Sequence, residues 1–221
     1  MHDLPSAIAA ATATEDGGRG RTIADVKTVV LSHLHYDHAG GLEHFRGRED
    51  VEIWCHEEEL KHAFWACATG LDGVNYLPEY LLAKELRWTT FAGGEMALFE
   101  GVKLWHVPGH TPGSIMMEVN LPGVVPTTKE GEKVGTSKSL TNTAAKVTGR
   151  QTVLFTGDLF HVKENWEEER QQGSGMITDY PAWSRSVRFV KAMARTTRAR
   201  VVLGHEGEYF DKMPKSPDYL S

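Results

Sequence analysis

Along this chain, short apolar runs stop abruptly at polar residues. VKTVVLS (26–32) is a β-branched run closed by a polar cluster and predicts a buried strand. VEIWC (51–55) predicts a second. Over 57–68 the period changes, with Leu60, Phe64 and Cys67 on one side of a helix that Gly70 can stop. LRWTTF (86–91) and 96–99 predict short strands, followed by KLWHV (103–107), IMMEV (115–119), TVLFT (152–156) and VVL (201–203). Pro181 can open a helix over 182–196 that carries Val187, Phe189, Val190 and Met193 at helical spacing. Ala7 to Ala13 reads as a short helix, and Gly17, Gly18 and Gly20 read as a loop. Segment 71–84 is too apolar for an ordinary loop; pocket lining and a packed helix both fit it. Residues 120–150 are rich in Gly, Pro, Thr and Lys and predict a long, partly exposed excursion. No internal repeat is evident.

Composition narrows the function. The 221 residues suit one large domain, with 40% hydrophobic and 24% charged residues. With 24 basic and 30 acidic residues the formal charge is -6, which argues against broad binding to nucleic acid or an anionic membrane. No apolar run approaches the length of a membrane helix. The N-terminus lacks a positive region followed by an apolar core, so it does not read as an export signal and a cytoplasmic location is expected. Cys55 and Cys67 do not make a disulfide scaffold and read as core residues.

The eleven histidines are unevenly placed. His33, His35, Asp37 and His38 form H-x-H-x-D-H directly after a predicted strand. Imidazole nitrogens and a carboxylate suit zinc and related divalent ions, and this spacing leaves room for two metals. A hydrogen-bonded polar turn is the bland alternative. His110 sits in GHTPGS after another strand, where it is either a ligand or a packed histidine. Asp158 ends TVLFTGD; alone it could cap a turn, but beside the histidines it reads as a carboxylate bridging two cations. His205 follows VVLG and completes a second histidine-rich set. Rigid strands would thus present one reactive group after another from their terminal loops. His2, His44, His56, His62 and His106 carry no functional argument.

Together SHLHYDHAGG (32–41), PGHTPGS (108–114), FTGD (155–158) and GH (204–205) closely resemble the metallo-β-lactamase superfamily. The resemblance implies the α/β class and an αβ/βα sandwich with metals at the edge between two sheets. It implies that His33, His35 and His110 hold one metal and Asp37, His38 and His205 a second. Asp158 would bridge the two divalent ions, expected to be zinc. Within the superfamily the chain looks most like lactonases that open N-acyl homoserine lactones. There the segment after the bridging aspartate often carries a tyrosine, at the position of His161 here. His161 is therefore expected to donate a hydrogen bond, move a proton or form a pocket wall.

The resemblance implies hydrolysis by a hydroxide shared between the metals, with Asp37 or Asp158 relaying a proton. Leu71, Tyr76, Tyr80, Trp65, Phe160, Trp166 and Met176 would give the pocket apolar contacts for a small, partly hydrophobic lactone. Lactam, ester, thioester or phosphodiester hydrolysis, and a catalytically silent metal-binding protein, remain as alternatives. GxSxG is absent, so serine chemistry has no support. Only 32 residues precede His33. Residues 1–22 are therefore expected to be a flexible segment before a hydrolase domain over 23–221 that lacks part of the usual N-terminal sheet. A shortened form of the chain is expected to expose apolar sheet surface and to associate, possible partners including a second copy.

Overall fold

A computed structural model describes residues 3–13, 20–72, 74–81, 85–121, 151–173 and 175–212, the side chains of Tyr80, Tyr209, Phe210 and Lys212 excepted. In chain order the elements are α1 (Leu4–Ala11), β1 (Thr28–Val30), α2 (Tyr36–Ala39), β2 (Glu52–His56), α3 (Glu57–Thr69), α4 (Pro78–Leu81), β3 (Trp88–Phe91), β4 (Glu95–Phe99), β5 (Val102–His106), β6 (Ile115–Leu121), β7 (Gln151–Phe155), α5 (Lys163–Glu167), α6 (Tyr180–Thr197), β8 (Arg200–Val202) and α7 (Gly207–Lys212). Two sheets form. β1-β2-β3 is parallel throughout. β4-β5-β6-β7-β8 is antiparallel except for the β7–β8 pair. The excursion expected over 120–150 falls, from residue 122 onward, outside the described residues; Asn120 and Leu121 extend β6.

Strand alternation builds three apolar layers. On β2, Ile53 and Cys55 face the helical side, where Leu42, Phe45, Ala63, Ala66 and Tyr76 close the first core. Trp54, between them, faces the second sheet and meets Phe91, Leu104, Ile115 and Met117. On the far face of that sheet, Met116 and Leu154 pack under Trp183, Val187 and Val190 of α6. Helix, sheet, sheet and helix thus stack as an αβ/βα sandwich.

Two helix faces differ from the sequence expectation. α3 buries Glu59, Ala63 and Ala66, with Leu60 and Cys67 half-buried, while Phe64 is exposed. The helix is rotated because four hydrogen-bond donors draw Glu59 inward, a pull that hydrophobic spacing does not register. On α6 Phe189 lies outside the buried stripe, against Trp105. Segment 71–84 divides: Tyr76 and Leu81 join the core, whereas Leu71 and Val74 are exposed.

The layer between the sheets is thin. It opens into a cavity of about 260 Å³ lined by Val30, Ile115, Met117, Phe155, Val202 and Leu203, among others. Phe155 and Phe99 are exposed among the described residues. Of the helices described, none is long and apolar enough to cross a membrane.

Candidate metal centre

Four loops at one end of the sandwich meet. The first leaves β1 through Ser32, whose carbonyl accepts from Ile115 N–H at 2.9 Å and so ties this loop to the second sheet. The loop delivers His33 and His35, and α2 then carries Asp37 and His38. The second follows β5. Its two glycines allow close approach: a Cβ on Gly109 would overlap the backbone of Trp183 in α6, and one on Gly113 would overlap the backbone of Glu59 in α3. His110 is thereby clamped between two helices. The third and fourth loops follow β7 and β8. They are joined by His205 N–H donating to His161 carbonyl at 2.8 Å and Gly204 N–H to Phe160 carbonyl at 2.9 Å, which sets His205 beside Asp158.

The eight polar side chains singled out in the sequence all reach this end. Potential ligand atoms of His33, His35 and His110 lie within 4.8 Å of one another, as do those of Asp37, His38, Asp158 and His205. His110, Asp158 and His161 form a third such group. Asp158 stands at the centre. Its Oδ2 is 3.1 Å from His205 Nε2, 3.0 Å from His161 Nε2, 3.7 Å from His110 Nε2 and 3.8 Å from His33 Nε2. Its Oδ1 is 3.2 Å from His38 Nε2. Asp37 Oδ2 reaches His205 Nε2 at 3.5 Å and His38 Nε2 at 3.7 Å.

The donor set fits divalent cations. His110 Nδ1 is 2.6 Å from the Met176 carbonyl, which fixes the proton on Nδ1 and leaves the Nε2 lone pair free. That Nε2 lies 3.3 Å from His33 Nε2 and 3.2 Å from His35 Nδ1. Asp158 Oδ1, His38 Nε2 and His161 Nε2 are buried and close to one another's partners, yet none has hydrogen-bond geometry. Buried polar atoms that converge without hydrogen-bond partners are the environment a cation would satisfy.

Two supporting residues carried no signal in the sequence. Ser32 Oγ lies 3.2 Å from His33 Nδ1 and 3.4 Å from His38 Nδ1, so one hydroxyl orients a ring from each half of the cluster. Gln172 is buried, donates to the carbonyls of Asp158 and Leu159, and sets its Oε1 3.3 Å from His110 Nδ1. Lone polar residues in loops have no spacing rule that would expose such roles.

The apolar residues are less well gathered. Met176 lines the site, together with Tyr36, Asn75 and Val162, in a cavity of about 520 Å³. Tyr76 and Phe160, expected in the pocket, are buried in the cores instead, and Trp166 is half-buried against the second. Tyr76 is one layer back, its ring edge-on to His35 at 4.9 Å between centroids. Trp65 and Leu71 are exposed outside the cavity lining, and the Tyr80 side chain lies outside the described residues. His56 and His106 stack on each other at 3.8 Å away from the centre, with His106 Nε2 2.9 Å from the Pro112 carbonyl.

Burial, and then neighbouring histidines, hold His33 well below the ordinary imidazole value and bring His35 down to about 3; burial also lowers His110. Burial opposes protonation of His38, but Asp158 and then Asp37 raise it. Asp158 is pushed up by burial, yet His161, His38 and His33 hold it well below the carboxylate range. These directions predict acid sensitivity of the metal-depleted protein. Below about pH 6.5 the unfolded chain binds protons that folded His33, His35 and His110 do not, so stability falls as pH falls, for His35 down to about 3. His38 acts oppositely: its contribution is complete below 6.5 and is lost as pH rises through its folded value. His56, lowered by burial and then by His106, adds to the first group, so four lowered histidines oppose one raised. Urea midpoints should drop between pH 7 and 5.5, with the unfolding free energy falling by at most about 1.4 kcal/mol per pH unit for each excess histidine. A flat or rising midpoint would contradict this charge assignment.

The sequence profile of the Metallo-beta-lactamase superfamily matches residues 9–127, more than half of the chain. The chain belongs to the metallo-beta-lactamase superfamily. Within that superfamily it is similar to N-acyl homoserine lactonase AiiB of Agrobacterium fabrum, 28% identical over 200 residues, covering 88% of this chain and 62% of the relative. An N-acyl homoserine lactonase of Bacillus thuringiensis is 24% identical over 202 residues, covering 89% and 62%. The chain therefore spans less than two thirds of the length of these relatives. Among solved structures, an N-acyl homoserine lactone hydrolase with the product N-hexanoyl-L-homoserine at its catalytic metal centre superposes with TM-score 0.65 at 24% identity, over 91% of this chain and 64% of the other. AidC, a dizinc quorum-quenching lactonase, gives TM-score 0.54 at 18% identity, over 85% and 60%. These superpositions establish a shared metallo-beta-lactamase fold.

Proposed function

We propose that this protein is a metal-dependent hydrolase that opens a small, partly hydrophobic lactone, with N-acyl homoserine lactones as the substrate class. The convergence of two donor groups on Asp158 beside a cavity of about 520 Å³ carries this reading. The lactonase relatives support the substrate class. In this reading His33, His35 and His110 would hold one zinc ion and Asp37, His38 and His205 a second, with Asp158 available to both. Bound there, the metals supply Lewis acidity to the carbonyl and to water.

The chain's own residues supply the rest. The surrounding histidines keep Asp158 ionised, so it holds negative charge at the centre. His161, fixed by Asn165 Oδ1 accepting from the backbone N–H of 161 and 162 at 3.1 and 3.0 Å, faces the cavity and donates to the lactone. Asp37, on the exposed side, accepts a proton and passes it towards the leaving oxygen. Tyr36, Val162 and Met176 offer apolar walls to an acyl chain.

The test combines metal analysis with turnover of lactones, β-lactams, esters and thioesters. Two metals per chain and selective lactone opening are expected. Faster turnover of another panel member would reassign the substrate, and metal-loaded, folded protein without turnover would leave only metal binding. His161→Phe should lower lactone kcat about 10²-fold while leaving metal content unchanged. An unchanged kcat would make His161 a pocket wall.

A further inference from the structure

We propose that Glu59 is a positioning residue that ties the His33/His35 loop to the His110 loop and so sets the metal affinity of the three-histidine subsite. This rests on the metal-site reading above. Glu59 is wholly buried near the start of α3, and no cation pairs with it among the described residues. A buried carboxylate is costly unless donors surround it. Here four neutral donors do, and they divide by loop. Oε1 accepts from the N–H of Leu34 at 2.9 Å, the residue between His33 and His35, and from Tyr76 Oη at 3.2 Å. Oε2 accepts from Thr111 Oγ1 at 2.5 Å, next to His110, and from Gly113 N–H at 3.1 Å.

One rigid carboxylate therefore spans the two loops whose separation sets the distance between their histidines. The arrangement also explains the close approach at Gly113, where a side chain would separate the loop from the backbone of Glu59. Tyr76 extends the strut, since its hydroxyl meets Glu59 and its ring meets His35. All four groups donate, so an amide at this position must turn an N–H group towards a donor.

Zinc titration of the metal-depleted full chain against a competing chelator, with amide hydrogen exchange on the same samples, tests the proposal. Glu59→Gln should weaken zinc binding 10- to 100-fold and speed exchange at Leu34 and Gly113, with secondary structure retained. A folded Gln variant binding zinc within twofold of the wild type would overturn it. If that variant does not fold, Thr111→Val cuts only the His110 side: a tenfold loss of affinity supports the strut, and unchanged affinity overturns it. Wild-type protein that binds no zinc would instead refute the underlying metal reading, and the strut with it.

Discussion

Replacing Asp158 with alanine should lower lactone turnover by at least ~10³-fold and strip metal from the protein. Loss of one electrostatic contact at a reacting centre costs on the order of 10²- to 10³-fold, and loss of a group that only supports a ligand costs about 10- to 100-fold in affinity. In the proposed reading Asp158 combines both positions. Its two oxygens lie between 3.0 and 3.8 Å from nitrogens of five histidines that come from all four loops. Alanine leaves those rings facing one another without the negative charge that offsets a cation. Asp158→Asn keeps the volume and removes only the charge, so it should also lose metal while melting closer to the wild type. Metal content after gel filtration, read beside initial rates, checks both variants. An alanine variant with full metal content and full turnover would exclude Asp158 as the shared ligand.

The sequence made the donors of this centre legible because each stands immediately after a strand, within a motif dense enough to outweigh a chance polar turn. His33, His110, Asp158 and His205 come from four separate segments, yet the ends of β1, β5, β7 and β8 bring them to one edge. The layer order came from the family resemblance, and the structure shows how it is built: β2 and β6 each feed two cores. What stayed hidden depends on polar groups that break the apolar pattern. Glu59 turns α3 by drawing four donors, and no count of apolar residues contains that force. Ser32 and Gln172 act through side-chain hydrogen bonds from loops, two for Ser32 and three for Gln172. The pocket walls were misread because aromatic residues near site loops fill cores as readily as cavities. Phe160, two residues from Asp158, points into the layer under α6 rather than towards the centre.

Gly109→Ala should destabilise the protein by about 4 kcal/mol, because two independent costs meet there. Gly109 has φ +137, a conformation that side-chain-bearing residues rarely adopt. A Cβ would also overlap the backbone of Trp183. The loop cannot relieve this by moving outward. The Gly109 carbonyl accepts from Thr178 N–H at 2.8 Å and Asp179 N–H at 3.1 Å, while its own N–H donates to the Thr111 carbonyl at 3.0 Å. Any shift breaks these bonds or lifts α6, whose Ser186 Oγ donates to the Pro108 carbonyl at 2.8 Å. Strain of about 1–3 kcal/mol and overpacking of a similar size therefore add. For a chain of this length each kcal/mol lowers the melting temperature by about 2–4 °C, so a fall of roughly 10 °C is expected. Gly94→Ala is the control, since nothing lies within 4 Å of a Cβ there; it should melt near the wild type. Because His110 follows directly, Gly109→Ala should also weaken zinc binding even in the fraction that stays folded. A Gly109→Ala melting temperature within about 2 °C of the wild type would mean that the loop and α6 can separate, and that the His110 position is not fixed by their contact.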